Sequence, residues 1–170
     1  YTAVTAEAIG SSGSKTYTGT LAFKAAGAKR SCFGVTFTDG TETFVKAREM
    51  FSGYFDEDFV IYGTDVPSAP TGPAKVALYE MVKNGKLAEI FGGFGVDLDK
   101  LAHTQSQALQ FIRKYPQHLH PDGWATFILF KVNGVFFVAV VYRRVLSGGL
   151  EASVSRLSGG SVWNADGHRR

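Results

Sequence analysis

The dipeptide formed by Asn133 and Gly134, with the apolar segments on either side of it, constrains the fold more than any other feature. Asn-Gly favours a two-residue hairpin turn, because both positions of that turn need positive φ. The flanking segments, 124–132 and 135–145, are apolar at successive positions rather than at alternate ones. A strand with that pattern is buried on both faces. The sequence therefore predicts an antiparallel hairpin at the buried centre of a sheet.

Further strands are indicated by alternation of apolar and polar residues, the period of a half-buried strand. Residues 150–155 alternate after a turn at 147–149, which predicts a third strand of an antiparallel meander. Asp39 and Gly40 tolerate positive φ and predict a second hairpin. The remaining predicted strands are 16–24, 33–37, 41–47 and 59–62.

Two helical regions are predicted between these groups of strands. Pro73 suits a first helical turn, and apolar residues at helical spacing follow it, so we expect a helix over 73–83 and a short turn over 86–91. Asp97 is a suitable N-cap for a longer helix over 97–114, which ends before Pro116. Its apolar stripe consists of Leu98, Leu101, Ala102, Gln105, Leu109 and Ile112.

These elements predict the α+β class: an antiparallel β-sheet of five to seven strands, with two helices inserted mid-chain and packed on one face. The strands fall in two groups, 16–62 and 124–157. The 14 Phe, seven Tyr and two Trp can form a hydrophobic core that needs no disulfide or metal cross-links. The single cysteine excludes an intrachain disulfide. We expect one domain over 1–170. A two-lobed arrangement divided near 63–73, where prolines cluster, is the alternative.

The longest apolar run has eight residues, far below the ~20 that a membrane-spanning helix requires. We therefore expect no transmembrane segment and a soluble chain. No charged and then apolar leader is visible in the sequence, and the compartment is left unassigned.

The net charge of +3 is concentrated in the second half, where residues 86–170 carry ten Lys and Arg against six Asp and Glu. Scattered surface charge is the simpler interpretation. The alternative is a patch that faces nucleic-acid phosphate, beside strand aromatics that resemble a stacking platform. We favour a core role for those aromatics, which include Phe127, Phe130 and Phe137. The candidate binding residues are Arg143, Arg144, Arg156 and Trp163.

One compact group of metal-competent residues is present: His118, His120 and Asp122. If the segment is extended, both imidazoles point to one side, but a zinc or iron site needs at least one further donor. An exposed loop bounded by Pro116 and Pro121 is the simpler interpretation. No Gly-x-Ser-x-Gly elbow occurs, and we expect no cofactor.

The sequence is rich in packing residues and poor in convergent ionisable groups, which favours a non-catalytic binding or assembly module. Its partner is then a protein or a second copy of the chain. Two alternatives stay open. One is a nucleic-acid-binding module that uses the basic C-terminal third, and the other is a metal-dependent enzyme that uses the loop with His118 and His120.

Overall fold

A computed structural model describes residues 2–8, 29–81, 83–119, 124–144 and 147–165. It has an α+β architecture built on a seven-stranded sheet. In chain order these strands are β1 (Thr2–Ala8), β2 (Lys29–Val35), β3 (Tyr54–Phe55), β4 (Ala74–Glu80), β6 (Thr126–Val132), β7 (Val135–Arg143) and β8 (Leu150–Arg156). A separate two-stranded sheet pairs β5 (Gly85–Lys86) with β9 (Val162–Trp163). The α+β class expected from the sequence is confirmed.

The strand order in the large sheet is β2-β4-β1-β6-β7-β8-β3. Neighbouring strands are antiparallel except at two junctions, β1 with β6 and β3 with β8, which are parallel. Four α-helices are described: α1 (Asp58–Ile61), α2 (Leu87–Gly92), α3 (Leu98–Leu101) and α4 (Gln105–Lys114). None of the described helices is long and apolar enough to cross a membrane.

The central hairpin is confirmed. Asn133 and Gly134 have φ values of 48° and 81°, the positive values that a two-residue hairpin turn needs. The register of β6 on β7 runs from Val132 opposite Val135 to Thr126 opposite Val141. Residues 127–130 and 138–141 are fully buried, as the double-sided apolar pattern predicts.

Two hydrophobic cores lie on opposite faces of the sheet. Ile128 and Phe130 of β6 belong to the first core, which contains the apolar residues of α4. Phe127 and Leu129, the alternate residues, belong to the second core, which α2 and α3 cover. The helices therefore pack on both faces and not on one. A hairpin that is apolar on both sides needs a layer against each of them.

The predicted helix over 97–114 is two helices in the structure. Leu101 of α3 lies in the second core, whereas Leu109 of α4 lies in the first. Between them the chain is extended at His103, whose backbone N–H donates to the Leu129 carbonyl at 2.9 Å. The chain thus changes from one face of the sheet to the other, and a continuous helix cannot make that crossing.

The predicted helix over 73–83 is wrong, because residues 74–80 form β4. Val76 and Leu78 face the first core, and Ala77 and Tyr79 face the second, which is the two-residue period of a strand. Pairing with β1 on one side and β2 on the other places β4 inside the sheet, and this tertiary context overrides the local helical spacing.

The second predicted hairpin is also wrong. Gly40 does adopt a positive φ of 78°, but residues 44–47 form turns instead of a strand, and they place Phe44 in the first core. The predicted strand over 59–62 overlaps α1. The predicted strand over 16–24 lies outside the described residues. Phe59 and Val76, on either side of the proline-rich segment 63–73, share the first core.

Candidate functional site

An open groove of about 360 Å³ lies between the segment that follows β2 and the solvent-facing side of α4. Six of its seven lining residues are polar or charged, and the seventh is aromatic. The lining residues are Phe37, Thr38, Asp39, Glu42, Ser106, Gln110 and Arg113.

The helical wall of the groove follows from how α4 begins. Thr104 is its N-cap: the Thr104 hydroxyl accepts from the Gln107 N–H, and the Gln107 side chain accepts from the Thr104 N–H. This reciprocal capping box fixes the start of the helix. Ser106, Gln110 and Arg113 then recur at spacings of four and three, which places them on one helix face.

These three side chains bind the opposite wall. The Ser106 hydroxyl donates to the Glu42 carbonyl and accepts from the Glu42 N–H. The Gln110 amide bonds Thr36 twice, since Oε1 accepts from the backbone N–H at 2.6 Å and Nε2 donates to the hydroxyl at 2.9 Å. Arg113 Nη1 donates to Glu42 Oε2 at 2.7 Å, and Nη2 donates to Oε1. The segment 36–42 is therefore held at both ends.

Asp39 and Arg113 in the groove have pKa values shifted in favour of their charged forms. The Glu42 carboxylate raises the pKa of Arg113. Hydrogen bonds from the Thr41 N–H and the Thr41 hydroxyl, both to Asp39 Oδ1, lower the pKa of Asp39. With two carboxylates and one guanidinium, the lining has a formal charge of −2 + 1 = −1.

The aromatic member of the lining is Phe37, whose side chain is 61% exposed. Thr38, the next residue, forms an antiparallel bridge with Thr71 through two backbone hydrogen bonds of 3.0 and 2.9 Å. In extended chain, residues two apart point to the same side. Phe37 and Asp39 flank the bridge, and both line the groove, so an exposed ring and a carboxylate belong to the same wall.

The arginines that the sequence singled out do not form one cluster. Arg143 is opposite Leu150 in the β7–β8 register and Arg156 is opposite Phe137, six residues away, or about 20 Å along the strands. Arg144 is paired with Glu151. The Arg156 guanidinium lies over the Tyr62 and Phe137 rings, at 5.1 and 5.8 Å from their centroids. Nucleic-acid binding by this region stays a prediction.

Trp163 is partly buried against the second core, and three of the strand aromatics are buried within the cores. The Trp163 ring meets the Phe127 ring edge-on at 4.9 Å and packs against the second core. Phe127 and Phe130 are fully buried, and Phe137 is 3% exposed. The core role favoured for these phenylalanines is confirmed.

Of the candidate metal ligands, only His118 lies within the described residues. It is exposed at the end of a short 3-10 helix, Pro116–His118, and its ring packs on Phe33 with a centroid distance of 4.4 Å. His120 and Asp122 lie outside the described residues. Within the described ranges, no group of three or more His, Cys, Asp or Glu side chains is placed to hold a metal ion. Metal binding at this loop stays a prediction.

The sequence reasoning missed the groove. Its two walls are about 70 residues apart in the chain, and the segment 36–42 was interpreted as part of a hairpin. One signal was available: Ser106, Gln110 and Arg113 form a polar stripe opposite the apolar stripe of the helix.

No model of a known protein family, no curated protein and no solved structure matches the chain.

Proposed function

We propose that this chain is a non-catalytic binding module and that the groove between residues 36–42 and α4 is its binding site. The observation that carries the proposal is the exposed Phe37 ring, 61% accessible, beside walls that reciprocal hydrogen bonds hold in place. A site that is already ordered loses less conformational entropy when a ligand binds. Exposed apolar surface next to fixed polar groups is the usual composition of a ligand site.

The ionisable groups of the groove favour binding over acid–base catalysis. A general acid or base works best when its pKa lies near the working pH. Here the pKa of Asp39 is lowered and that of Arg113 is raised, so both stay charged through the neutral range. The described lining contains neither histidine nor cysteine. Fixed charges of this kind orient a ligand.

A fragment screen read by amide NMR tests the proposal. The probes are butylammonium, methylguanidinium, acetate, methyl glucoside and benzyl alcohol, each added to isotope-labelled protein. We expect at least one probe to shift amides of residues 36–42 and 106–113, and we expect Phe37→Ala to weaken that binding.

Ile61→Ala is the matched control, because Ile61 is 72% exposed and lies on α1, outside the groove. It should leave the binding unchanged. The proposal fails if no probe perturbs the groove, or if Phe37→Ala and Ile61→Ala have the same effect.

A further inference from the structure

We infer that the groove takes an organic cation, an ammonium or guanidinium group on an aliphatic stem, held between the Phe37 ring and the Asp39 carboxylate. This inference rests on the proposed function and names the ligand class of the same site. It is supported by a side-chain arrangement of one cation, one aromatic ring and one carboxylate, which occurs complete at two other places on the surface of the protein.

The first complete arrangement is at Arg48. Its guanidinium lies over the Phe55 ring at 5.5 Å from the centroid, and Nη2 is 3.1 Å from Glu57 Oε1. The second is at Lys131, whose ammonium lies 4.8 Å from the Phe136 centroid and 2.5 Å from Asp99 Oδ1. In both, one cation is attracted by the negative face of a ring and by a carboxylate.

The pair formed by Phe37 and Asp39 has the ring and the carboxylate without the cation. Arg113, the one cation of the described lining, is engaged by Glu42 through both terminal nitrogens. The Lys46 ammonium donates to the Thr41 carbonyl at 3.0 Å, and its charge is a minor cause of the lowered pKa of Asp39, without an ion pair between the two side chains. Among the described residues, no cation lies within ion-pair distance of Asp39. A cation from outside the chain would complete the arrangement.

Thr41 fixes one oxygen of the Asp39 carboxylate. Oδ1 accepts both bonds from Thr41, and Oδ2 takes part in neither of them. An anion would be repelled by the Asp39 carboxylate, and the Arg113 guanidinium that could attract it is already paired with Glu42. The formal charge of −1 therefore favours a cation over a neutral or anionic ligand.

Isothermal titration and amide NMR with three matched probes test the inference: N-acetyl-lysine amide, N-acetyl-arginine amide and the uncharged isostere N-acetyl-norleucine amide. We expect weak, saturable binding of the two cationic probes and at least threefold weaker binding of the norleucine probe. Asp39→Asn keeps an oxygen for the Thr41 bonds but removes the charge, and it should weaken cation binding about three- to fivefold. Phe37→Leu should weaken it about two- to fivefold.

Glu57→Gln is the control for removal of a surface carboxylate, and it should leave cation binding unchanged, because Glu57 already pairs with Arg48. If Asp39→Asn does not fold, Asp39→Ser, which keeps a hydroxyl acceptor, replaces it. Butylammonium distinguishes the sources of the cation. Binding equal to that of the lysine probe indicates a free amine, and weaker binding indicates a peptide side chain.

The inference is overturned if norleucine amide binds as well as lysine amide, or if Asp39→Asn leaves cation binding intact. If uncharged or anionic fragments perturb the groove and cations do not, the cation inference fails and the binding module stands. If no fragment perturbs the groove, both fail.

Discussion

Arg113 and Glu42, which are 71 residues apart in the chain, form a two-pronged ion pair that joins α4 to the segment after β2. The side chains are 47% and 34% exposed, so water screens the attraction. A double-mutant cycle with Arg113→Ala and Glu42→Ala should give a coupling energy of about 0.5 to 1 kcal/mol in urea unfolding.

Arg113→Lys is the matched variant, because it keeps the charge and loses the forked geometry. It should recover less than half of the coupling. A coupling energy near zero, or full recovery by lysine, would contradict a role for the two-pronged pair in holding the groove.

Gln105 stabilises the region behind the groove through three backbone groups, two of them in buried hydrogen bonds. Its Oε1 accepts from the Phe44 N–H at 3.0 Å, and its Nε2 donates to the carbonyls of Thr64 and Val66 at 2.8 and 3.2 Å. Gln105→Leu leaves the buried Phe44 N–H without this partner, whereas the Thr64 carbonyl keeps its bond from the Val66 N–H, so the free energy of unfolding should fall by about 1 to 3 kcal/mol.

The control is Gln110→Leu on the same helix. Gln110 bonds Thr36, which is exposed, so water replaces the lost partner and the cost should stay below about 1 kcal/mol. Equal losses for the two variants in denaturant unfolding would show that the burial of the partners is irrelevant, contrary to this expectation.

Strand β7 of the central hairpin offers a test of its burial. Val138 is fully buried in the second core, whereas Val135 is 40% exposed at the start of β7. An unpaired buried carboxylate costs several kcal/mol, against a typical total stability of ~5 to 15 kcal/mol. We expect Val138→Asp to abolish cooperative unfolding and Val135→Asp to retain it, as measured by circular dichroism during heating. A cooperatively melting Val138→Asp variant would refute the burial.

The features that could be predicted from the sequence are those set by neighbouring residues. Asn133 and Gly134 determine their turn by backbone conformation alone, and the apolar residues around them determine their burial. The boundary at His103 could not be predicted, because the apolar stripe continues through it and only the sheet requires the chain to change faces. Strand β4 was missed for a similar reason. Its apolar residues fit either period, and pairing with β1 and β2 decides between them.

The groove was beyond sequence reasoning because its chemistry belongs to two distant segments. Phe37 and Asp39 are ordinary residues of a turn until the bonds of α4 to Thr36 and Glu42 place their segment beside the helix. The arginines of the C-terminal third show the reverse case. They are close in sequence, but the register of β7 on β8 separates Arg143 from Arg156.

Gly134 in the hairpin turn can be compared with Gly92 at the end of α2, because the two glycines differ in backbone conformation. An added Cβ meets nothing within 4 Å at Gly134 or at Gly92, but Gly134 has a φ of +81° and Gly92 is the last residue of α2. Gly134→Ala should therefore cost about 1 kcal/mol through backbone strain alone. Gly92→Ala should be neutral or stabilising by up to about 1 kcal/mol. A neutral Gly134→Ala variant in urea unfolding would argue against the positive φ.

The Asp39 carboxylate should make stability depend on pH in the acid range. The Thr41 N–H, and then the Thr41 hydroxyl, hold the pKa of Asp39 below its ordinary value of 3.8. A carboxyl whose pKa is lower in the folded chain stabilises the fold above its unfolded pKa, and this stabilisation is lost as pH falls through the folded value. Near neutrality, the free energy of unfolding of the wild type should therefore exceed that of Asp39→Asn by a constant amount. This difference in stability should shrink as the pH falls below 3.8.

Carboxyl-carbon NMR titration measures the pKa of Asp39 directly, and urea unfolding at neutral and acidic pH measures the stability difference. Thr41→Val removes the hydroxyl but keeps the backbone N–H, which is the larger cause, so it should raise the pKa of Asp39 only part of the way towards 3.8. Titration of wild-type Asp39 at or above 3.8 would mean that Thr41 does not hold the carboxylate. It would also remove the fixed carboxylate on which the inferred cation binding in the groove depends.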